Sequence, residues 1–234
     1  MLMTDKQATA SHWSDADPEQ VSEGVTRYEM VAPEETHEGR VGASLVVIDP
    51  ESTYKPDEFQ GEIFYHVLAG NGILRWTKDH TPLPNMLEND MGGWIPGTHE
   101  HQFENTGEGP MRCLEVSCET DGSYGVRAGS VGKLDTVRPD ARKIDDTFHG
   151  FGVPNGEKLA VAGYQVFSPG KEQGDHYHDE ELIYVVRGEG TLVSGGEEFD
   201  LKAGTAAHNP QEITHRLKNT AQDRFGYIVL EFAP

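Results

Sequence analysis

The chain of 234 residues has little cysteine and no long apolar run. Its two cysteines, Cys113 and Cys118, are five positions apart, so on a strand their Cα atoms would lie roughly 16 Å apart and their side chains on opposite faces. We therefore expect two reduced thiols. No run reaches the roughly 18 apolar residues that a membrane helix needs, and the N-terminal segment has neither an apolar signal core nor an Arg-rich face. The sequence predicts a soluble, cytoplasmic protein without a membrane partner.

Basic side chains are also scarce, because 19 Lys and Arg stand against 40 Asp and Glu, for a formal net charge of −21. A field of this sign repels phosphate backbones and anionic membrane surfaces, which argues against nucleic acid as a partner. Two interpretations of the acidity stay open. It is either a well-solvated surface or an adaptation to high internal salt, where a Debye length of about 3 Å at 1 M screens the repulsion.

Gly and Pro, by contrast, are frequent, with 27 and 13 residues, and they separate short apolar or alternating runs. Such runs between turn residues are typical of strands, and no long stripe with a period of 3.6 residues competes with them. The fold class predicted is therefore all-β. The clearest runs are GASLVVID, EIFYHVLAG, MRCLEVSC, KLAVAGYQVFS and ELIYVVRGEGTLVSG.

Two polar segments divide the chain. Residues 1–24 are interpreted as an N-terminal tail, and residues 121–148, rich in Gly and charge, as a linker. The remaining pieces, 25–120 and 149–234, can be aligned with each other, as expected for an internal repeat. The sequence thus predicts a tandem duplication, in which the paired positions are Leu87 with Leu201, Pro96 with Pro210, His101 with His215 and Asn105 with Asn219.

The second half contains a pattern of metal-ligating residues. His176 and His178 are two apart, so on a strand both imidazoles face the same side. Glu181 joins them if the chain turns at residues 179–180, and His215 comes from a later hairpin. Three imidazoles and one carboxylate suit a first-row divalent metal and leave about two of six octahedral positions open.

These motifs resemble those of the cupin superfamily, and the duplication resembles a bicupin. The first cupin motif is matched by a glycine, the HxH pair, a glutamate and a second glycine, and the second motif by a glycine, a proline, a histidine and an asparagine. The resemblance implies two tandem jelly-roll barrels, each with an interior pocket, and one divalent metal per chain (Fe, Mn, Ni or Zn). The matching residues are Gly170, His176, His178, Glu181, Gly188, Gly204, Pro210, His215 and Asn219.

The carboxylate ligand has an alternative. The gap between His178 and Glu181 is one residue shorter than in the family, and Asp-Glu is not a favoured two-residue turn. Glu180 is therefore a second candidate. We favour Glu181, because it keeps the six-residue spacing to Gly188.

The first half lacks this ligand set. Where the HxH pair is expected it reads KPDEFQGE, and of the family ligands only His101 is present. One interpretation is a barrel kept for packing or dimerisation, with a filled pocket or an organic ligand. The other is a site improvised from Glu58, Gln60, Glu62, His66 and His99.

His208, seven residues before His215, is predicted to act as an acid or base or to bind substrate by a hydrogen bond; otherwise it is a partly exposed histidine. For the whole chain the resemblance implies a metal-dependent enzyme, of dioxygenase type, that acts on a small enolate, keto acid or diol. The alternatives are a non-oxidative cupin enzyme (isomerase, decarboxylase or ureidoglycine aminohydrolase-like) and a non-enzymatic bicupin that binds or senses a small ligand. A homodimer or higher homo-oligomer is expected.

Overall fold

The structure is a computed structural model that describes residues 7–36, 39–57, 60–78, 81–120, 130–133, 148–150, 158–177 and 179–233. Nearly all of its regular structure is β. The helical elements within these ranges are two single-turn 3-10 helices, η1 (Trp13–Asp15) and η2 (Pro33–Glu35). No helix in the described part of the chain is long and apolar enough to cross a membrane.

The N-terminal barrel consists of two antiparallel sheets. The short runs predicted as strands form most of it, because residues on one face of each strand are apolar and pack inward. Its larger sheet has, in spatial order, β12 (Ser130–Lys133), β9 (Met91–Pro96), β6 (Gly61–Ala69), β11 (Met111–Glu119), β4 (Val41–Ile48), β3 (Val25–Val31) and β2 (Pro18–Ser22). Its smaller sheet has β5 (Thr53–Tyr54), β10 (His101–Asn105), β7 (Gly72–Lys78) and β8 (Thr81–Leu87).

The C-terminal barrel repeats this plan with a six-stranded and a three-stranded sheet. The prediction of an all-β chain with two tandem barrels is thereby confirmed. The larger sheet has, in spatial order, β1 (Thr9–His12), β18 (Thr205–Asn209), β15 (Glu180–Arg187), β20 (Phe225–Phe232), β14 (Leu159–Phe167) and β13 (Phe148–Gly150). The smaller sheet has β17 (Glu197–Lys202), β16 (Glu189–Ser194) and β19 (His215–Asn219).

The paired asparagines show the duplication at atomic detail. Each asparagine ends a strand. Its amide donates to the last carbonyl of an earlier strand, which is Ile48 O of β4 at 2.7 Å for Asn105 and Phe167 O of β14 at 3.0 Å for Asn219. Each amide also donates to the carbonyl four residues ahead, Gly109 or Asp223, at 2.9 and 2.8 Å. Each side-chain oxygen accepts from the backbone N–H two residues ahead. The asparagine of the second motif is therefore a residue that holds a turn closed.

Buried apolar side chains form three clusters. One fills the N-terminal barrel around Phe103 and another fills the C-terminal barrel around Tyr227. The third and largest lies between the barrels, because the outer faces of the two large sheets are also apolar and pack against each other. Its members from both barrels include Phe64, Trp94, Leu114, Tyr184 and Leu230.

The segment interpreted as a polar tail forms strands that contact both barrels. β1 pairs antiparallel with β18 of the C-terminal barrel, Thr9 opposite His208, whereas β2 pairs with β3 of the N-terminal barrel. Between them, Trp13 packs edge-on against Tyr28, with ring centroids 5.5 Å apart. The N-terminal segment therefore connects the two barrels. The predicted linker lies mostly outside the described residues, and β12 within it extends the N-terminal sheet.

Both cysteines are buried free thiols, as the sequence predicts. Cys113 belongs to the interior of the N-terminal barrel and Cys118 to the cluster between the barrels, so they face opposite sides of β11. Burial raises the pKa of each thiol to about 12. Both therefore stay protonated and unreactive at neutral pH.

Candidate functional site

A pocket of about 390 Å³ opens into the C-terminal barrel, and two of the predicted metal ligands, His176 and Glu181, line it. Glu181 is on β15, in the centre of the larger sheet, and His215 is the first residue of β19 in the smaller sheet. His176 is bridged to His215 by two backbone hydrogen bonds, of 3.1 and 2.9 Å. The two sheets therefore bring these three side chains to one end of the barrel.

The histidines are held in one orientation by backbone carbonyls. His176 Nδ1–H donates to Gly174 O at 2.8 Å, and His215 Nδ1–H donates to Ile213 O at 2.9 Å. A carbonyl can only accept, so the contact with Gly174 places the proton of His176 on Nδ1, and the contact with Ile213 favours the same tautomer for His215; each ring then has its lone pair on Nε2. Metal-ligating histidines are oriented in the same way by hydrogen bonds from their second ring nitrogen.

The carboxylate of Glu181 faces these rings. Its Oε2 lies 3.3 Å from His215 Nε2, and the rings of His215 and His176 have centroids 4.3 Å apart. Glu181 and His215 are almost fully buried, whereas His176 is partly exposed at the pocket mouth. Burial by itself lowers the pKa of His215, but in the protonated ring Nε2–H donates to Glu181, and this hydrogen bond together with the charge of Glu181 outweighs burial and raises that pKa.

These donors fit a divalent first-row metal in their chemistry, since imidazole and carboxylate are its ordinary ligands. His178, the remaining predicted ligand, lies outside the described residues. Among the residues that the structure does describe, no group of three or more His, Cys, Asp or Glu side chains is arranged closely enough to hold a metal ion. The metal site with His176, His178, Glu181 and His215 therefore remains a prediction, for which the structure provides the positions of three donors.

Glu180 and His208 lie on the other side of the sheet. His208 Nε2–H donates to Glu180 Oε1 at 2.8 Å, and both side chains are buried. The residues that flank His208 on the same face, Leu182 and Ala206, belong to the cluster between the barrels. Because it faces that cluster and not the pocket, His208 is not placed to act as the acid or base predicted for it, nor is it partly exposed.

Five further residues lie near the ligands, and the sequence motifs do not identify them. The side-chain amide of Asn209 lies 2.7 Å from His215 Nδ1, and Ser194 Oγ–H donates to its oxygen. Tyr227 O–H donates to Gln165 Oε1 at 2.8 Å inside the pocket. The side chain of Gln173 also lines the pocket. Strand phase identifies Tyr227 as inward-facing, but only the fold shows which strands surround Glu181.

In the N-terminal barrel, a tyrosine occupies the place of the ligand cluster. His101 Nδ1–H donates to His99 O at 2.6 Å, the same arrangement as His215, but Tyr65 O–H donates to its Nε2 at 2.7 Å. The Nε2 lone pair, which a metal would require, is therefore used inside the protein. The N-terminal barrel thus contains the histidine of the motif, but Tyr65 occupies the ring nitrogen that would bind a metal.

The improvised N-terminal site does not form among the described residues. Glu62 accepts hydrogen bonds from the backbone N–H groups of Lys158 and Leu159, at 3.0 and 2.9 Å, and so ties the two barrels together. His66 is fully buried with Nε2 3.9 Å from Asp90. Gln60 is exposed, His99 packs its ring against Trp76, and Glu58 lies outside the described residues.

Comparison with known proteins agrees with this architecture. Residues 163–231 match the Cupin domain family. Over 81 residues, 34% of this chain, the sequence is 33% identical to a Streptomyces cyaneus protein named polyketide synthase CurC. The match spans 52% of that relative, about half of its length.

Three solved structures are similar to almost the whole chain. A mutant form of oxalate decarboxylase OxdC of Bacillus subtilis has a TM-score of 0.72 at 12% identity, covering 95% of this chain and 76% of that one. AerE of Microcystis aeruginosa has a TM-score of 0.72 at 15% identity, covering 94% and 97%. The Escherichia coli protein YlbA has a TM-score of 0.74 at 12% identity, covering 99% and 93%. At these identities the likeness shows the fold.

The C-terminal barrel matches a cupin domain, and the chain as a whole has the two-barrel fold of these solved structures.

Proposed function

We propose that the chain is a metal-dependent bicupin enzyme that acts on a small oxygenated organic molecule in the pocket of its C-terminal barrel. The ligands proposed are His176, His178, Glu181 and His215, and the metal is one divalent transition ion per chain. The observation that carries the proposal is the orientation of two imidazoles by Gly174 and Ile213, which directs an Nε2 lone pair of each ring away from the backbone, that of His215 lying 3.3 Å from the buried carboxylate of Glu181.

The lining of the pocket supports a polar substrate. Gln173 Oε1 is buried without a hydrogen-bond partner among the described residues, and it lies in the same pocket as Glu181. A buried acceptor without a donor costs free energy, so a substrate hydroxyl or N–H group that reached it would be bound favourably. Tyr227 holds Gln165 in place, and the amide N–H₂ of Gln165 stays available as a donor.

A divalent metal at these donors would supply Lewis-acid polarisation of a substrate oxygen and, if the ion is redox-active, oxidation chemistry. The chain itself contributes orientation and exclusion of water. Val161, Val229 and the ring of Tyr227 form the apolar part of the wall. Their apolar surfaces strengthen the polar contacts that a substrate makes with Gln165 and Gln173.

Oxidation by O₂ is the reaction we propose first, with an enolate, keto acid or diol as substrate. Similar structures include oxalate decarboxylase, described with Mn(II) centres, so manganese is included among the metals to be tested. The experiment is element analysis of the purified protein, followed by O₂ consumption with catechols, β-diketones and keto acids.

Stoichiometric metal with turnover of one substrate class supports the proposal. Stoichiometric metal with O₂-independent turnover supports a metal enzyme and contradicts the oxidative reaction. Stoichiometric metal without turnover of any compound favours the ligand-binding bicupin. Protein that binds no divalent metal, even after reconstitution, contradicts the proposed function.

A further inference from the structure

The N-terminal barrel has a cavity of its own. It measures about 430 Å³ and lies at the open end of the barrel, lined by residues that include Tyr54, Ile63 and Glu115. Glu115 is in the middle of β11, is half-buried and lines this cavity. A carboxylate at the floor of a cavity is costly to keep unless something there binds it.

The carboxylate lies at a different position in each of the two cavities. Asn105 aligns with Asn219 in the structure, and the same spacing of 114 residues relates Glu115 to Val229, on equivalent strands. On the neighbouring strand, Ile63 pairs with Ile95 where Glu181 pairs with Asn209. The C-terminal pocket thus has glutamate beside valine, and the N-terminal cavity has isoleucine beside glutamate.

Among the described residues, the carboxylate of Glu115 is held by a hydroxyl and not by a cation. Tyr54 O–H donates to its Oε2 at 2.9 Å, and the hydroxyl of Tyr65, which donates to His101, lies nearby. Burial raises the pKa of both tyrosines, so both keep their hydroxyl proton at neutral pH; Tyr54 donates it to Glu115 and Tyr65 donates it to His101. One face of the carboxylate is therefore fixed in place, as in a preorganised binding site.

The cations at the rim of the cavity already have partners. Arg27 forms an ion pair with Glu19, with Nη2 2.9 Å from Oε2, and Lys55 Nζ lies 2.6 Å from Glu100 Oε1. Arg27 still attracts Glu115 through space, but burial is the larger effect and raises the pKa of that carboxyl. A ligand with its own positive charge would supply the counter-charge that no residue in the described ranges places in contact with Glu115.

We propose that the N-terminal barrel is a second binding site, free of metal, that takes a small organic cation with its protonated amine or amidine on Glu115. Tyr54 orients the carboxylate, Ile63 and Val21 contact the carbon chain of the ligand, and Ser117 and Thr53 offer hydroxyl groups to it. The net charge of −21 favours the approach of such a ligand. The site is independent of the metal proposed in the other barrel.

The experiment is calorimetric titration at fixed ionic strength with three four-carbon probes: putrescine, 1,4-butanediol and succinate. We expect putrescine to bind best, and Glu115→Gln to weaken its binding about tenfold or more, because a charge-assisted hydrogen bond is lost. The matched control is Glu119→Gln, which removes the same charge from an exposed position on the same strand and should leave binding unchanged.

Two further variants complete the test. Tyr54→Phe should weaken putrescine binding by a smaller factor. This variant tests the site even if Glu115→Gln does not fold. His176→Ala should lose metal and keep putrescine binding, which separates this site from the proposed metal centre. No binding of putrescine, equal binding by Glu115→Gln, or equal binding of butanediol or succinate would overturn the proposal.

Discussion

Glu180 and Glu181 are adjacent on β15 and send their carboxylates to opposite faces of one sheet. Glu180 Oε1 accepts a hydrogen bond from His208 at 2.8 Å in the core between the barrels, whereas Glu181 Oε2 lies 3.3 Å from His215 Nε2 in the pocket. Each side chain is 4% exposed. Strand alternation thus gives two identical neighbouring residues different environments.

The first prediction follows from this alternation. Glu181→Gln should weaken metal binding at least about tenfold with little loss of stability, because it removes a charged donor from the pocket. Glu180→Gln should leave metal binding unchanged and lower the free energy of unfolding by about 1–3 kcal/mol, since it replaces the charged acceptor of a buried histidine. Metal titration and urea unfolding measure the two effects. If the effects are exchanged, the ligand is Glu180.

The second prediction concerns the histidines of the two barrels. His176→Ala and His215→Ala should each weaken metal binding at least about a hundredfold, because each removes an oriented donor. His101→Ala is the control at the equivalent position of the N-terminal barrel, where Tyr65 uses Nε2, and it should keep its metal. Element analysis after dialysis measures all three. Stoichiometric metal in the double variant of His176 and His178 would disprove the ligand assignment.

The sequence was sufficient for the fold because its signals are local and repeated. The glycine and proline spacing defines the strands, and the pairing of Asn105 with Asn219 defines the duplication. In the structure both asparagines close equivalent turns with the same hydrogen bonds. The six-residue spacing to Gly188 favours Glu181 over Glu180, because it keeps the alternation of side chains along a single strand.

Residues whose environment comes from distant elements were not predictable in this way. His208 is on the strand next to Glu181, but its face is decided by the packing of one barrel against the other. The sequence does not indicate the strands within residues 1–24. All of β2 is exposed and β1 is only partly buried, so neither strand needs an apolar pattern. The carboxylate of Glu115 resembles an ordinary outward charge in sequence, and only the closed barrel shows that it faces a cavity.

The third prediction is a loss of stability in acid that depends on His66. Burial lowers the pKa of His66 to about 4, and its Nε2 lies 3.9 Å from the carboxylate of Asp90. The unfolded chain takes up the proton near the ordinary value of 6.5, whereas the folded chain does not until about 4. Stability is therefore fully present above 6.5 and decreases as the pH falls toward 4, by up to about 3 kcal/mol.

His66→Phe removes this titration and keeps the position apolar. Its free energy of unfolding should decline less than that of the wild type between pH 6.5 and 4, as urea unfolding at each pH would show. Parallel pH profiles for the two proteins would mean that His66 takes up its proton equally well in the folded state.

The last prediction concerns salt. With 40 acidic and 19 basic residues, the folded chain repels itself, and compaction concentrates that repulsion. Raising KCl from about 0.1 M to about 1 M shortens the Debye length from about 10 Å to about 3 Å, so the repulsion is largely screened. The melting temperature should rise, by about 2–4 °C for each kcal/mol of repulsion removed. Calorimetry in KCl, beside a nearly neutral protein of similar size as control, measures the rise. A melting temperature that stays flat or falls would leave the acidity as a feature of surface solvation and exclude adaptation to high salt.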